Sequence, residues 1–125
     1  MFSVRYCAGK GRGVFAKRRY GAGELIDWYP VLVIPSDQCV YINETVIYDY
    51  TYAWGENGED SAIVLGFGSL YNHSYRPNAQ YIRDLESVTM RYVALQVIEE
   101  GEEITVNYNG VPDDMSPVWF EVASV

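Results

Sequence analysis

Turn-forming residues interrupt this chain about every ten positions, a spacing that suits short strands and leaves little room for long helices. The glycines and prolines at Gly11, Gly13, Gly21, Gly23, Pro30, Pro35, Gly55, Gly58 and Gly101 divide it into short apolar or alternating segments. The expected fold is therefore mostly β, with seven to nine short strands and little helix. The chain has 125 residues, the size of one domain, and 49% of them are apolar, enough for a hydrophobic core.

Phe2–Cys7 alternates and reads as a strand, with Cys7 as a small buried hydrophobe. Lys10-Gly11-Arg12-Gly13 reads as a turn. The run over 25–34 carries Pro30 and is closed by Pro35, which predicts a bent or edge strand. Over 46–54, Val46, Tyr48, Tyr50, Tyr52 and Trp54 occupy alternate positions, so one strand face would carry consecutive aromatics. Residues 55–60 form an exposed acidic turn, and 62–66, 79–82, 88–97 and 103–108 read as further strands. A turn-rich tail from Gly110 ends near Trp119 and Phe120.

The net charge is −8, which disfavours direct nucleic-acid binding and suits either solubility or a Lys/Arg-rich partner. One His and two Cys, with no CxxC pair, argue against a metal site. No apolar run approaches the ~20 residues that span a bilayer, and the N-terminus lacks the apolar core of a secretory signal. The expectation is a soluble protein of a reducing compartment, cytoplasmic or associated with a nucleoid or chromatin.

Three segments stand out: Gly11-Arg12-Gly13-Val14-Phe15-Ala16, then Leu70-Tyr71-Asn72-His73-Ser74-Tyr75-Arg76-Pro77-Asn78-Ala79, then Glu100-Gly101-Glu102-Glu103-Ile104-Thr105-Val106-Asn107-Tyr108. In this order they resemble the SET-domain family of protein lysine methyltransferases, over roughly residues 3–109. The chain is most similar to minimal stand-alone SET proteins of bacteria and large viruses. The resemblance implies a single SET (β-clip) domain over 1–125, made of small curved sheets, with 110–125 as a tail or lid. It also implies a pseudoknot that brings the Asn-His and Tyr segments together.

The resemblance further implies S-adenosylmethionine as methyl donor and a lysine of a basic, histone-like or other, protein or peptide as acceptor. Backbone groups of Lys10, Gly11 and Arg12 would contact the cofactor's methionine part, and the Asn72 carboxamide its amino acid end. His73 would meet the adenine through its backbone, and Tyr71 and Trp119 would lie on the cofactor side. Tyr108 matches the family's catalytic tyrosine, and Tyr50 a second channel tyrosine, with Tyr48 and Tyr52 as alternatives for that place. Where many members carry a zinc-binding Cys, this chain has Tyr75, and the cysteine-rich segment that completes that site is missing, so no zinc is expected. Trp119 or Phe120 would then serve as the lid, and a homodimer could complete the peptide groove.

The chemistry suits these residue types. A methyl acceptor amine must be neutral, and an aromatic channel disfavours the ammonium by desolvation. Tyr108 would position the amine and stabilise the transition state; with an ordinary phenol pKa near ~10 it need not be a base. His73 reads as a hydrogen-bonded structural imidazole, and Glu99, Glu100, Glu102 and Glu103 as solvated turn residues. Tyr6, Tyr20, Tyr29, Tyr41, Tyr81 and Tyr92 read as core tyrosines with hydroxyls at the core's edge. The alternative to an active enzyme is a degenerate SET module that binds a cofactor or a protein.

Overall fold

The computed structural model describes residues 2–7 and 11–118; the side chains of Phe2, Tyr6 and Cys7, and the whole of Lys10, Trp119 and Phe120, lie outside the described part. Its strands are β1 (Phe2–Cys7), β2 (Gly11–Ala16), β3 (Leu25–Ile34), β4 (Thr51–Trp54), β5 (Asp60–Val64), β6 (Asn72–His73), β7 (Ala79–Asp84), β8 (Thr89–Ala94) and β9 (Glu103–Val106). One α-helix, α1 (Ser36–Ile42), follows β3. The strands form a four-stranded sheet in the order β1-β2-β9-β6 and a five-stranded sheet in the order β4-β5-β3-β8-β7. The mostly β expectation holds.

Strand β9 lies between β2, to which it is antiparallel, and the two-residue β6, to which it is parallel. Segments far apart in the chain thus become neighbours: Val14 faces Ile104, and Asn72 faces Thr105. Between the sheets sits a core of Val14, Tyr20, Tyr71, Val64, Met90, Tyr92, Ile98, Ile104 and Val106, all essentially solvent-free.

Several local expectations are corrected. Gly11 and Arg12 belong to strand β2 rather than to a turn, and Gly11 pairs with Cys7. Pro30 does not mark an edge strand. β3 is the central strand of its sheet, pairing through Leu25–Pro30 with β8 and through Val31–Ile34 with β5. Pro30 stands where the partner changes, so its missing N–H costs the ladder little, while its carbonyl still accepts from Leu65 N at 3.0 Å.

The aromatic stripe over 46–54 is only half a strand. Val46–Tyr50 is a 3-10 helix, and only Thr51–Trp54 is extended. The Thr45 side chain accepts from Ile47 N at 3.2 Å and caps that helix, a local bond that outcompetes the alternation. Helix α1 starts directly after Pro35 with Ser36 and Asp37, a recognised start signal the turn spacing obscured. Tyr41 lies on its exposed side, 77% accessible, not in the core.

Candidate functional site

The parallel β6–β9 pairing sets the site. It leaves Tyr108, two residues past β9, beside His73, whose Nδ1 accepts from the Tyr108 backbone N–H at 3.0 Å. At its other end the Tyr108 hydroxyl donates to the Tyr71 carbonyl at 2.6 Å. Tyr108 is therefore held from both ends by the two residues that flank Asn72. Burial pushes its phenol pKa up, and the nearby Glu103, Tyr81 and Tyr50 add to the rise. His73 is buried, and its Nδ1 acts as an acceptor, as expected of a structural imidazole.

Asn72 joins all three motif segments. Its Nδ2 donates to the Arg12 carbonyl at 3.1 Å and to Glu103 Oε2 at 2.6 Å. Glu103 is thus half-buried and engaged, which corrects its reading as a solvated turn residue. Glu99 and Glu102 do behave as turn residues: Glu102 Oε1 accepts from Glu99 N at 2.9 Å, and Glu99 pairs with Arg19 at 3.3 Å in the open. Asn78, for which the sequence suggested no separate task, clamps β9. Its Nδ2 donates to the Glu103 carbonyl at 2.8 Å, and its Oδ1 accepts from Thr105 N at 2.9 Å.

Tyr108 opens on a cavity of about 380 Å³. Tyr48, Tyr50, Tyr52 and Tyr81 contribute to its walls, together with the charged Asp49, Glu59, Asp60 and Arg83 and several small polar residues. Of the alternative channel tyrosines, Tyr52 is a core residue whose hydroxyl donates to the Gly68 carbonyl at 2.7 Å and accepts from Tyr92 at 2.9 Å. Tyr50 sits half-buried at the end of the 3-10 helix and faces the same cavity as Tyr108. The Tyr81 hydroxyl donates to the Tyr108 carbonyl at 3.2 Å.

Behind this wall lies a phenol cluster that the core reading missed. Tyr29 and Tyr71 share a hydroxyl contact of 3.1 Å, and Tyr71 stacks on Tyr92 with centroids 4.5 Å apart. The hydroxyls of Tyr29, Tyr71 and Tyr92 are inside the core, not at its edge: Tyr29 and Tyr71 bond to each other, and Tyr92 donates to Tyr52 and the Gly68 carbonyl. Desolvation raises all their pKa values. The Tyr71 side chain is accordingly turned into the core, and only its backbone reaches the site.

Beyond the site, Tyr75 Oη donates to the Ser116 carbonyl at 2.9 Å, and Asn109 Nδ2 to the same carbonyl at 2.7 Å. Tyr75 thus tethers the C-terminal segment. Among the described residues no cluster of His, Cys, Asp and Glu could hold a metal ion. No helix among them is long and apolar enough to cross a membrane.

The donor set of the motif side suits an amino acid moiety. Among the described residues Asn72 Oδ1 accepts no hydrogen bond, although Asn72 is only 9% exposed. Gly11, at φ +77°, has no atom within 4 Å of where a Cβ would stand, leaving open space beside Arg12. A carboxamide oxygen, a carbonyl and a carboxylate together match an ammonium group.

The SET domain family profile matches residues 11–109. The chain is 32% identical over 119 residues to a Schizosaccharomyces pombe protein named histone-lysine N-methyltransferase, H3 lysine-37 specific, covering 94% of this chain and 76% of that one. It also superposes on a crystal structure from Plasmodium falciparum described as a histone methyltransferase, with a TM-score of 0.63 and 27% identity, covering 86% of this chain and 96% of the other.

Proposed function

The chain belongs to the SET-domain family and is a protein-lysine methyltransferase, and we propose that it transfers a methyl group from S-adenosylmethionine to a lysine of a basic, histone-like protein. The observation that carries the reading is the 2.6 Å bond from the Tyr108 phenol to the carbonyl of Tyr71, the residue before Asn72, at the edge of a tyrosine-lined cavity. The same reading takes residues 3–109 as the catalytic core.

The cofactor, when bound, supplies an electrophilic methyl group on a sulfonium centre. Asn72 Oδ1 and the Arg12 carbonyl would accept from its amino group, and the space beside Gly11 would admit its amino acid part. The Tyr108 hydroxyl has one proton, already committed to Tyr71, so towards an amine it can only accept. An acceptor amine entering between Tyr50 and Tyr108 donates an N–H to that oxygen, which turns the nitrogen lone pair away from it and along the attack direction. Such orientation is worth up to ~7–11 kcal/mol in the best cases.

Tyr108 acts as a positioning and electrostatic group, not as a base. Its raised pKa keeps the phenol protonated wherever the protein works. The phenolic walls strip water from the incoming ammonium, lower its pKa and favour the neutral nucleophile. Its proton leaves through the solvent-facing side. Asp49, Glu59 and Asp60 outnumber Arg83 around the cavity and favour a substrate segment rich in Lys and Arg.

The test is intact-mass analysis of core histones, and of other basic proteins, after incubation with the chain and S-adenosylmethionine. Mass increments of one or more methyl groups on lysine are expected. Binding of the cofactor with no methyl transfer to any basic protein would favour the binding-module alternative instead.

A further inference from the structure

We propose that Glu103 is a positioning residue for the cofactor's amino group: it fixes the Asn72 carboxamide in the orientation that presents Oδ1 to an ammonium. This inference rests on the cofactor reading above. A primary amide has two N–H donors and one carbonyl acceptor. Both donors of Asn72 are committed, one to Glu103 Oε2 at 2.6 Å and one to the Arg12 carbonyl at 3.1 Å. Both partners accept only. Rotating the amide by half a turn would set Oδ1 against two oxygens and lose both bonds, so one orientation dominates.

The carboxylate is itself rigidly placed. Its residue pairs with Phe15 of β2, and its carbonyl is held by Asn78 Nδ2 at 2.8 Å. Glu103 therefore carries the register of β9 into the orientation of a side chain on β6. It also brings a negative charge beside the Asn72 carboxamide. The same charge contributes to keeping the Tyr108 phenol protonated, so one carboxylate serves both the binding and the reacting ends of the site.

A merely structural Glu103 would affect every ligand alike; a positioning Glu103 affects only ligands that carry the amine. Calorimetry with the full chain and two probes separates these cases: S-adenosylhomocysteine, and its analogue lacking the α-amino group. Wild type should prefer the amine-bearing probe. Glu103→Ala should weaken that probe about tenfold, the effect of one lost hydrogen-bonded orientation, and leave the deamino analogue within twofold. Glu103→Gln keeps an oxygen for the Asn72 N–H and should retain most of the preference. If Glu103→Ala does not fold, Glu103→Met, of matched length and without an oxygen, gives the same comparison.

Equal weakening of both probes, or of neither, overturns the inference while the cofactor reading stands. So does loss of the preference in Glu103→Gln as complete as in the variant without an acceptor. Failure of wild type to bind either probe overturns the cofactor reading and this inference with it.

Discussion

The two sides of the molecule that meet at Tyr108 are held together in different ways. On the β1-β2-β9-β6 side, single polar side chains make long-range, directional bonds: Asn72 to Arg12 and Glu103, Asn78 to Glu103 and Thr105, His73 to Tyr108. On the β4-β5-β3-β8-β7 side, rings pack on rings and their hydroxyls bond inside the core: Tyr71 on Tyr92, Tyr52 edge-on to Tyr81. Directional bonds fix atoms to within a bond length. Packed phenols instead fix a low-dielectric wall. A site that must hold a charged donor in register and also neutralise an ammonium needs one of each, and Tyr108 has a bond to both.

The largest expected effect separates the sides by pH. Amides do not titrate; the buried phenols do. Tyr52, Tyr71 and Tyr92 have pKa values raised by desolvation, and so have Tyr29 and Tyr108. A raised folded-state pKa gives stability that is fully present below the unfolded value, near ~10, and is lost as pH climbs from there towards the folded value. Each such phenol costs up to ~1.4 kcal/mol per pH unit in that window. The melting temperature should therefore be flat with respect to these groups from pH 7 to ~9.5 and fall steeply beyond. Tyr92→Phe should make the fall shallower; an unchanged slope would mean that the phenol cluster is not what titrates.

The next effect tests the junction itself. Tyr108→Phe keeps the ring and its packing but removes the donor to Tyr71 and the acceptor lone pairs. Turnover should drop on the order of 10²–10³-fold, the cost of one catalytic hydrogen-bonding group. Cofactor affinity, read by calorimetry, should stay within about twofold, because Asn72 and Arg12 are untouched. A loss seen mainly in affinity would move Tyr108 to the binding side and dissolve the division.

Much of this division could be read before the structure, but unevenly. The three motif segments are contiguous in sequence, so Asn72, His73 and Tyr108 stood out. Their meeting place came from the family resemblance alone, because parallel pairing of a two-residue strand leaves no periodicity to detect. Glu103 looked like one of four turn carboxylates; nothing local separates it from Glu102, and only β9 pairing turns it towards Asn72. The tyrosine alternation over 46–54 was genuine but was overruled by the Thr45 cap, so Tyr50 ends a helix while Tyr52 starts a strand's buried face. Pro30 suggested a bent or an edge strand because a proline cannot donate; the edge alternative fails because the strand changes partners at that residue.

Asn78→Ala sharpens the directional side. It removes the acceptor of the buried Thr105 N–H and a donor to the Glu103 carbonyl. Unfolding free energy from urea titration should fall by ~1–3 kcal/mol, the cost of leaving buried polar groups without partners. The same variant should loosen β9, so cofactor affinity should fall with stability. Stability lost with affinity intact would show that Asn78 and Asn72 act independently.

The smallest effect belongs to the phenol side and depends on shared acceptors. Tyr52→Phe removes a hydroxyl that donates to Gly68 at 2.7 Å and accepts from Tyr92 at 2.9 Å. Neither partner is stranded, since Tyr92 also reaches the Gly68 carbonyl, at 3.1 Å. The hydroxyl proton of Tyr92 turns to that carbonyl, and each remaining polar group keeps a partner. The stability loss should be about 0.5–1.5 kcal/mol, the net worth of one hydrogen bond, and smaller than that of Asn78→Ala in the same titration. The reversed ranking would mean that the phenols also hold position through individual bonds, and that both sides of Tyr108 follow one rule.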